Sequence, residues 1–443
     1  MDKSLHVLIT SIPARGHLNC AIAFGDLLKE RGHSIFLAQR EAFQNIAESH
    51  GFNFIPFDET IFGTEKAEPY GGWLRRNSHL FRNGWEGFRQ FTREDCESYG
   101  EHLKYHPLID KALAKVFRET SGIDVIVSDM VTKFPSLADC GIPSVNIISF
   151  NPLVLHPNGI PPYAGFSTKL KDPVLFEDYH RVKRNAWSNA SDRVKNWYRS
   201  CGKDSWANEF DELDEMRFIN HETELGFYHY ADDLDYHEFG PTYPNWYRVD
   251  FCVRESKKKF NVPSKLQKLP GKLIFFSMGS VASMDHEIMK MLLKILSKSP
   301  HRFIVSTGAC GDQLELYDNM WGEPYVDQIA ILQTVDLVIT HGGNNSLMET
   351  LYYARPMIVI PYFFDQLDNA VRVEEKQIGR QINIWDFDEE KLLNTIEDVL
   401  GDNQIKENVE KISENMKKST SREEAAKRVE EFVKTKRQSK RKE

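Results

Sequence analysis

One short segment of the chain, residues 339–350 (ITHGGNNSLMET), combines hydrogen-bonding side chains with two adjacent glycines. A buried strand is predicted over 336–340 and a helix after it, so the segment forms a turn at a helix N-terminus. Free N–H groups and a partial positive charge at such a terminus suit a phosphate, and glycines let the backbone approach a ligand closely. The side chains that add donors are His341, Asn344, Asn345 and Ser346.

Glu349, one helical turn further along, has two acceptor oxygens and cannot favour a phosphate. An acidic residue at such a position accepts hydrogen bonds from the vicinal hydroxyls of a ribose. A diphosphate at the helix start and a ribose at Glu349 together predict a nucleotide site. The alternative interpretation is a capping box, with Ser346 at the N-cap and Glu349 three residues later, which leaves His341 and the glycines unexplained.

Two common nucleotide-binding motifs are excluded by the glycine and lysine pattern. The segment matches neither a Walker A loop nor a G-x-G-x-x-G fingerprint. The opening loop at 13–17 (PARGH) contains a single glycine, which argues against a nicotinamide cofactor there.

The composition is that of an ordinary globular protein. A chain of 443 residues is long for a single core, so two domains are predicted. The net charge of −9 argues against nucleic acid as the main partner, because no excess positive field would attract a phosphate backbone. The basic run at 434–442 is expected to be a solvated or frayed tail.

The sequence shows no secretory signal and no membrane anchor. A strand is predicted at 5–9 with no basic segment or cleavage site before it, and no run of about 18 apolar residues occurs. The six cysteines are Cys20, Cys96, Cys140, Cys201, Cys252 and Cys310. They are scattered and lack zinc-binding spacing, so we expect reduced thiols and a cytoplasmic protein.

Short apolar strands alternate with amphipathic helices in both halves of the chain, which is typical of parallel sheets in an α/β fold. Strands are predicted at 7–11, 34–38, 52–57, 124–129 and 145–149, and again at 273–277, 302–306, 336–340 and 357–361. Prolines interrupt the pattern over 241–270, where we expect a linker. The predicted units are an N-terminal domain at 1–245, a C-terminal domain at 246–405, and a helical segment with a basic tail at 406–443. Two such domains leave a cleft at the carboxyl ends of their strands, where ligands bind.

Several candidate site residues follow one another in a fixed order in the second half. They are Tyr325-Val326-Asp327-Gln328, residues 341–346 (HGGNNS), Glu349, Pro356, Pro361, Asp365-Gln366 and Asn369. Their order and spacing resemble the donor-binding signature of the UDP-glycosyltransferases, which are inverting enzymes that use nucleotide sugars. The segments 276–280 (FSMGS) and 13–17 (PARGH) extend the resemblance across nearly the whole chain. The resemblance implies the GT-B architecture, an α/β fold of two facing Rossmann-like domains.

The resemblance also implies a role for each matched residue on the donor side. Tyr325 would stack on the uracil, and the Val326 backbone would read the edge of the base. Gln328 and Glu349 would hold the ribose. The residues that would bind the diphosphate are Ser280, His341, Gly343, Asn345 and Ser346. The pair that would bind sugar hydroxyls, usually associated with glucose in this family, is Asp365 and Gln366.

The sequence departs from the family pattern at three positions. Tyr325 stands where the family usually has tryptophan, Asp327 where it has proline, and Ala354 where it has glycine. A tyrosine ring still stacks on a base. Membrane-bound animal relatives carry a signal peptide and an anchor helix. We expect this chain to have neither, and therefore to be of the soluble type.

Transfer with inversion needs a base that takes the proton of the acceptor hydroxyl. His17 follows the first predicted strand, and the ordinary histidine pKa of about 6.5 suits this task. Asp129 ends the strand at 124–129 and points into the cleft, where it would orient the imidazole. The family places its catalytic histidine and aspartate at these positions. The alternatives are a structural histidine and an aspartate that caps the next helix.

No metal or cofactor is predicted, and the UDP-sugar is a co-substrate. Asp233 and Asp235 form a D-x-D, which is the metal motif of a different glycosyltransferase architecture. We interpret this match as incidental to an acidic stretch, because the helix terminus and His341 can stabilise the leaving charge.

The acceptor is expected to be a small lipophilic hydroxyl compound, as in detoxification. Candidate pocket residues are Phe57, Phe62, Tyr70, Trp73, Phe81, Trp85, Phe88, Ile160 and Tyr163. The alternative is that these aromatic residues belong to the core. Two other functions stay open: a UDP-sugar epimerase, and a catalytically silent protein that binds nucleotide sugars.

Overall fold

The first sheet of the molecule contains seven parallel strands. The structure, a computed structural model, describes residues 4–64, 69–212, 222–250, 259–308 and 311–440. The strands are β1 (His6–Ser11), β2 (Ser34–Gln39), β3 (Asn53–Pro56), β4 (Val125–Asp129), β5 (Ser144–Ile148), β6 (Gly226–His229) and β7 (Trp246–Val249). Their order in the sheet is β3-β2-β1-β4-β5-β6-β7. The central strands are apolar runs because helices cover both faces, and all of β4 is buried.

The second sheet contains six parallel strands. They are β8 (Leu273–Ser277), β9 (Arg302–Ser306), β10 (Met320–Glu323), β11 (Leu337–Thr340), β12 (Met357–Val359) and β13 (Gly379–Gln381). Their order is β10-β9-β8-β11-β12-β13. The prediction of an α/β fold with two parallel sheets is therefore confirmed.

Helices connect the strands and cover the sheets. In the first domain they are α1 (Arg15–Glu30), α2 (Gln44–Ser49), α3 (Pro69–Asn77), α4 (Gly84–Gly87), α5 (Arg93–Tyr99), α6 (Tyr105–Glu119), α7 (Pro135–Asp139), α8 (Pro173–Ser200) and α9 (Asp204–Glu212). From the linker onward they are α10 (Ser264–Gln267), α11 (Gly279–Ala282), α12 (His286–Leu296), α13 (Gln328–Leu332), α14 (Asn344–Tyr352), α15 (Asp365–Glu375), α16 (Glu389–Gly401), α17 (Asn403–Lys418) and α18 (Ser421–Lys440).

The strand register places the predicted site residues at the carboxyl edges of both sheets. In the first sheet, Ser11 at the end of β1 lies opposite Asp129 at the end of β4. In the second sheet, Ser277 at the end of β8 lies opposite Thr340 at the end of β11. The loops that leave these four strands therefore meet at the cleft between the domains.

The first domain extends beyond the predicted boundary at residue 245. The strand β7 follows that boundary and pairs with β6 along four residues from Gly226↔Trp246 to His229↔Val249, so it belongs to the first sheet. The prolines around β7 made this segment resemble a linker, but none of them interrupts the four paired residues. Part of the predicted linker, residues 251–258, lies outside the described residues.

The C-terminal helix α18 returns to the first domain. Arg31 donates two hydrogen bonds of 2.7 and 2.8 Å to Glu430, and Arg422 contacts Glu30 at 3.0 Å. Arg437 and Lys440 of the basic run bind Asp124 and a backbone carbonyl of the first domain. Residues 434–440 therefore form the ordered end of a helix that is bound to the first domain, so the expectation of a frayed end is wrong for them. Most of their side chains are exposed, as expected of a solvated run. Among the described helices, none is long and apolar enough to cross a membrane.

Candidate active site

A cavity of about 280 Å³ lies between the carboxyl edges of the two sheets. The first domain contributes Ile12, Ala14, Gly16, His17, Tyr70, Trp73, His102, Leu103, His106, Val131, Phe150, Tyr163 and Trp187 to its lining. The second domain contributes Ser280, Val281, His341, Phe363, Phe364, Asp365 and Gln366. Four predicted donor-side residues thus face the predicted base across one cavity.

His17 lies in the first turn of α1, which begins at Arg15. Its Nδ1 is 3.1 Å from Oδ1 of Asp129, whose side chain is fully buried. Ser149 Oγ also lies 3.1 Å from the same nitrogen. The structure therefore brings the predicted pair together and adds a hydroxyl that the sequence reading missed. The available signal was the position of Ser149 at the end of a predicted strand.

The charges around His17 favour its protonated form. Burial lowers the pKa of His17, but the nearby Asp129 and the more distant Asp365 raise it, and the net result is a pKa above the ordinary value. Burial raises the pKa of Asp365 to about 6, although an N–H of Asn151 and the charge of His17 oppose this change. His17 is thus a stronger base than a free histidine.

His341 begins the turn after β11, and its ring lies between two glycines. A methyl group at Gly279 would come within 2.5 Å of the His341 ring, and one at Gly343 would come equally close at 2.5 Å. These contacts explain why side chains are excluded at both positions. Burial lowers the pKa of His341 to about 4, so the imidazole is neutral near pH 7.

The turn before α14 is not a capping box. The helix begins at Asn344 with Gly343 at its N-cap, and no side chain caps it. Ser346 is therefore the third residue of the helix. The asparagine side chains bind the first domain instead: Asn344 donates to the His229 carbonyl at 2.8 Å, and Asn345 donates to the Gly16 carbonyl at 2.7 Å.

The predicted ribose residues lie together on neighbouring helices. Gln328 Nε2 donates to Glu349 Oε2 at 2.6 Å and to Ser346 Oγ at 3.3 Å. Glu349 is only 4% exposed, so its carboxylate belongs to the interior of the turn. Asp327 caps α13 by accepting a hydrogen bond from the Ala330 N–H, which explains an aspartate where the family has proline.

Tyr325, the predicted base platform, is 48% exposed. The guanidinium carbon of Arg15, from the first domain, lies 4.1 Å from the centre of its ring. The adjacent Val326 is partly buried and packs on the core of the second domain. The predicted uracil site thus lies at the outer end of the cleft, with a first-domain residue above it.

Asp365 and Gln366 begin α15 at the wall of the cavity. Asp365 Oδ2 accepts a hydrogen bond of 3.1 Å from the Asn151 N–H. Gln366 Oε1 accepts from the backbone N–H groups of Tyr362 and Phe363 at 2.9 and 3.3 Å. These bonds fix the loop before α15 and position both side chains at the cavity.

A buried asparagine pair joins the domains behind this wall. Asn151 Nδ2 donates to Asn369 Oδ1 at 2.7 Å, and Asn369 Nδ2 donates to the Gly342 carbonyl at 2.9 Å. The sequence reading noted Asn369 only as part of the motif and missed Asn151. The position of Asn151 two residues beyond a predicted strand was the signal that could have indicated it.

The aromatic residues predicted for the acceptor pocket divide between the cavity and the core. Tyr70, Trp73 and Tyr163 line the cavity. The buried aromatic residues of the surrounding core are Phe57, Phe62, Phe81, Trp85 and Phe88. Ile160 is buried in a second core cluster. The alternative interpretation, that these side chains belong to the core, holds for the six residues that do not line the cavity.

The D-x-D residues have other partners in the structure. Asp233 accepts a hydrogen bond of 2.9 Å from Asn415, and Asp235 accepts one of 2.8 Å from the Tyr228 hydroxyl. In the part of the chain that the structure describes, no three histidine, cysteine or acidic side chains form a metal-binding group.

Comparisons with known proteins relate this site to a family. A family model described as "UDP-glucoronosyl and UDP-glucosyl transferase" matches residues 269–421, which contain every predicted donor-side residue. The uncharacterized UDP-glucosyltransferase YojK of Bacillus subtilis (strain 168) is 32% identical over 170 residues, 38% of this chain and 42% of the relative. UDP-glucuronosyltransferase 3A1 of Xenopus laevis is 23% identical over 366 residues, 74% of this chain and 66% of the relative.

The chain contains, at residues 269–421, a domain of the UDP-glycosyltransferase family. It spans about half the length of several curated relatives that it matches. Solved structures extend the similarity in fold to nearly the whole chain. The glycosyltransferase of kitacinnamycin superposes with a TM-score of 0.67 at 17% identity, over 97% of this chain and 100% of that one. SnogD from Streptomyces nogalater superposes with a TM-score of 0.58 at 16% identity, also over 97% and 100%. The predicted family and its GT-B architecture are therefore confirmed.

Proposed function

We propose that the protein transfers a neutral hexose, glucose in the first place, from a UDP-sugar to a hydroxyl of a small lipophilic acceptor with inversion. The observation that carries this proposal is the placement of His17, paired with Asp129, across one cavity from Asp365 and Gln366. A base on one wall and a sugar-binding pair on the other hold the acceptor hydroxyl near the anomeric carbon.

The geometry of the histidine supports its role as the base. Its Nδ1 faces Asp129, so a proton held there leaves the lone pair of Nε2 for the acceptor hydroxyl. As Nε2 takes the hydroxyl proton, the hydroxyl oxygen bonds to the anomeric carbon and the bond to the UDP oxygen breaks. The proton stays on His17, where the carboxylate of Asp129 stabilises it. A single displacement inverts the configuration and requires no covalent intermediate.

The charges of the cavity support a neutral sugar. Within the described parts of the chain, the residues that line it include no lysine or arginine, and they include the carboxylate of Asp365. A sugar acid such as glucuronate would place its own carboxylate in these surroundings without a cation to pair it. Glucose meets the same residues with hydroxyl groups, which can donate to Asp365 and accept from Nε2 of Gln366.

The cavity also supports a small, uncharged acceptor. Burial lowers the pKa of His102 to about 4 and that of His106 to about 3, so both are neutral beside Tyr70 and Trp73. A volume of about 280 Å³ is at the small end of ligand pockets. A flat phenol or a similar lipophilic alcohol fits this lining. Conjugation of such compounds in the cytoplasm, as in detoxification, is the role we propose.

The test is to incubate the chain with UDP-glucose and a panel of phenols and to follow UDP release. We expect release that depends on the acceptor, a β-glucoside as product, and little release from UDP-glucuronate. The proposal needs no metal, so activity should persist in EDTA. Conversion of the sugar without an acceptor would indicate an epimerase, and binding of UDP-glucose without release would indicate a silent binding protein.

A further inference from the structure

Arg15 and Tyr325 approach each other from opposite domains at the outer end of the cleft. The guanidinium carbon lies 4.1 Å from the ring centre, within the range of a cation–π contact. Tyr325 is the residue to which the family resemblance gives the uracil. The role of Arg15 is not assigned by that resemblance.

The contact leaves no space for a base on that face of the ring. A separation of 4.1 Å is that of two flat groups in direct contact. A uracil between them would require about twice this separation. A uracil that stacks on this face of the ring must therefore displace Arg15.

The diphosphate site offers Arg15 a second position. Arg15 is the first residue of α1, and the carbonyl of its neighbour Gly16 accepts a hydrogen bond of 2.7 Å from Asn345. Asn345 lies in the first turn of α14, which is the predicted diphosphate site. The backbone of Arg15 is thus adjacent to this site, and a flexible arginine side chain can turn from one position to the other.

A cation beside the diphosphate would add to the stabilisation that the N-terminus of α14 provides. Among the described residues that line the cavity there is no lysine or arginine, and the imidazole of His341 is neutral because burial lowers its pKa to about 4. UDP leaves with its negative charge on the diphosphate oxygens. Guanidinium groups bind such oxygens through two parallel hydrogen bonds.

We propose that Arg15 is a donor-binding residue of the first domain with two positions. In the free protein it covers Tyr325; when a UDP-sugar binds, the uracil replaces it on the ring and the guanidinium binds the diphosphate. The inference rests on the proposed function and extends it, because the acceptor domain then contributes the charge that stabilises the departing UDP.

The test compares UDP with uridine, which lacks the diphosphate, in calorimetric titrations of the full chain. Arg15→Ala should weaken UDP binding about tenfold or more, the effect of a lost charged hydrogen bond. The same change should leave uridine binding unchanged or strengthen it by about two- to fivefold, because the competing cation–π contact is gone. Arg15→Lys keeps the charge and should keep most of the UDP affinity.

Arg93→Ala is the matched control, since it removes one positive charge from an arginine that is 94% exposed on α5. It should change neither affinity. The wild-type chain provides a test without mutation: added salt should weaken UDP binding more than uridine binding. Equal losses for UDP and uridine in Arg15→Ala, or no loss for UDP, would overturn the inference. If the wild-type chain binds neither ligand, the proposed function itself is wrong, and the inference with it.

Discussion

Two of the histidines that line the cleft, one from each domain, follow central strands of the two sheets, and their surroundings differ. His17 follows the central strand β1, lies 3.1 Å from the buried Asp129, and has a raised pKa. His341 follows the central strand β11, lies between Gly279 and Gly343, and has a pKa lowered to about 4. The same side chain is therefore suited to accept a proton on one wall and to serve as a neutral donor on the other.

The comparison shows how the residues around a histidine decide its chemistry. A carboxylate stabilises the imidazolium, whereas close backbone packing excludes water and destabilises it. Each half of the cleft thus has its own function, and variants in the two halves should differ in what they lose.

The largest effect is expected for His17→Ala. Without the base, the turnover number should fall by about 100-fold to 10,000-fold. The dissociation constant for UDP should stay within error of the wild-type value, because no donor contact is lost. Single-turnover transfer to a phenol, beside a UDP titration, measures both quantities.

Asp129→Asn should also reduce the turnover number, but the variant should retain a turnover number about tenfold higher than that of His17→Ala. An orienting aspartate contributes less than the base itself. Asp129 raises the pKa of His17, so its removal should lower this pKa. The activity of the wild type should rise with pH as His17 loses its proton, and in the variant this rise should move to lower pH. A pH–rate profile that does not move would show that Asp129 does not act through the imidazole.

His341→Ala should weaken UDP binding about tenfold or more and also slow the departure of UDP. The imidazole is neutral above about pH 5, since its pKa is about 4. Titration of His341 should therefore add no pH dependence to UDP binding between pH 6 and 8. Tight UDP binding in His341→Ala would show that His341 does not bind the diphosphate.

Glu349→Ala tests the ribose assignment in the donor half. The wild-type chain should bind 2′-deoxy-UDP more weakly than UDP, by the equivalent of about 1.5–3 kcal/mol for a charged hydrogen bond. In the variant this difference should disappear while the melting temperature stays close to that of the wild type. If the variant still distinguishes the two nucleotides, the ribose does not contact Glu349.

The smallest effect concerns Ala354, which has a φ of +53° where the family has glycine. A left-handed backbone strains a residue with a Cβ by about 1–2 kcal/mol, whereas glycine loses about 0.4–1 kcal/mol through the unfolded chain. Ala354→Gly should therefore raise the free energy of unfolding by about 0.5–1 kcal/mol without a change in activity. Denaturant unfolding of the two proteins measures this difference, and a loss of stability would contradict it.

The two halves of the cleft also differ in how far the sequence predicted them. The donor residues lie in one short part of the chain, on turns that follow clear apolar strands such as β8 and β11, and the family model covers them. The acceptor lining comes from many separate segments, including Tyr70, His106 and Trp187, which only the folded chain brings together.

The errors of the sequence reading have a common physical cause. Asn344 was expected to add a donor for the ligand, but its side chain binds a carbonyl of the other domain. The strand β7 was placed beyond the domain boundary because its partner β6 was not predicted, and the basic tail binds acidic residues far away in the chain. In each case the deciding partner is distant in sequence, so local patterns could not indicate it.

The division of the cleft between the two histidines is the central claim, and one paired measurement tests it most directly. UDP is titrated calorimetrically into His17→Ala and His341→Ala, and single-turnover transfer from UDP-glucose to a phenol is measured for both. The account predicts that His17→Ala binds UDP like the wild type but transfers sugar at least about 100-fold more slowly. His341→Ala should lose about tenfold or more in UDP affinity. A His17→Ala variant that loses UDP affinity, or that transfers sugar at close to the wild-type rate, would contradict it.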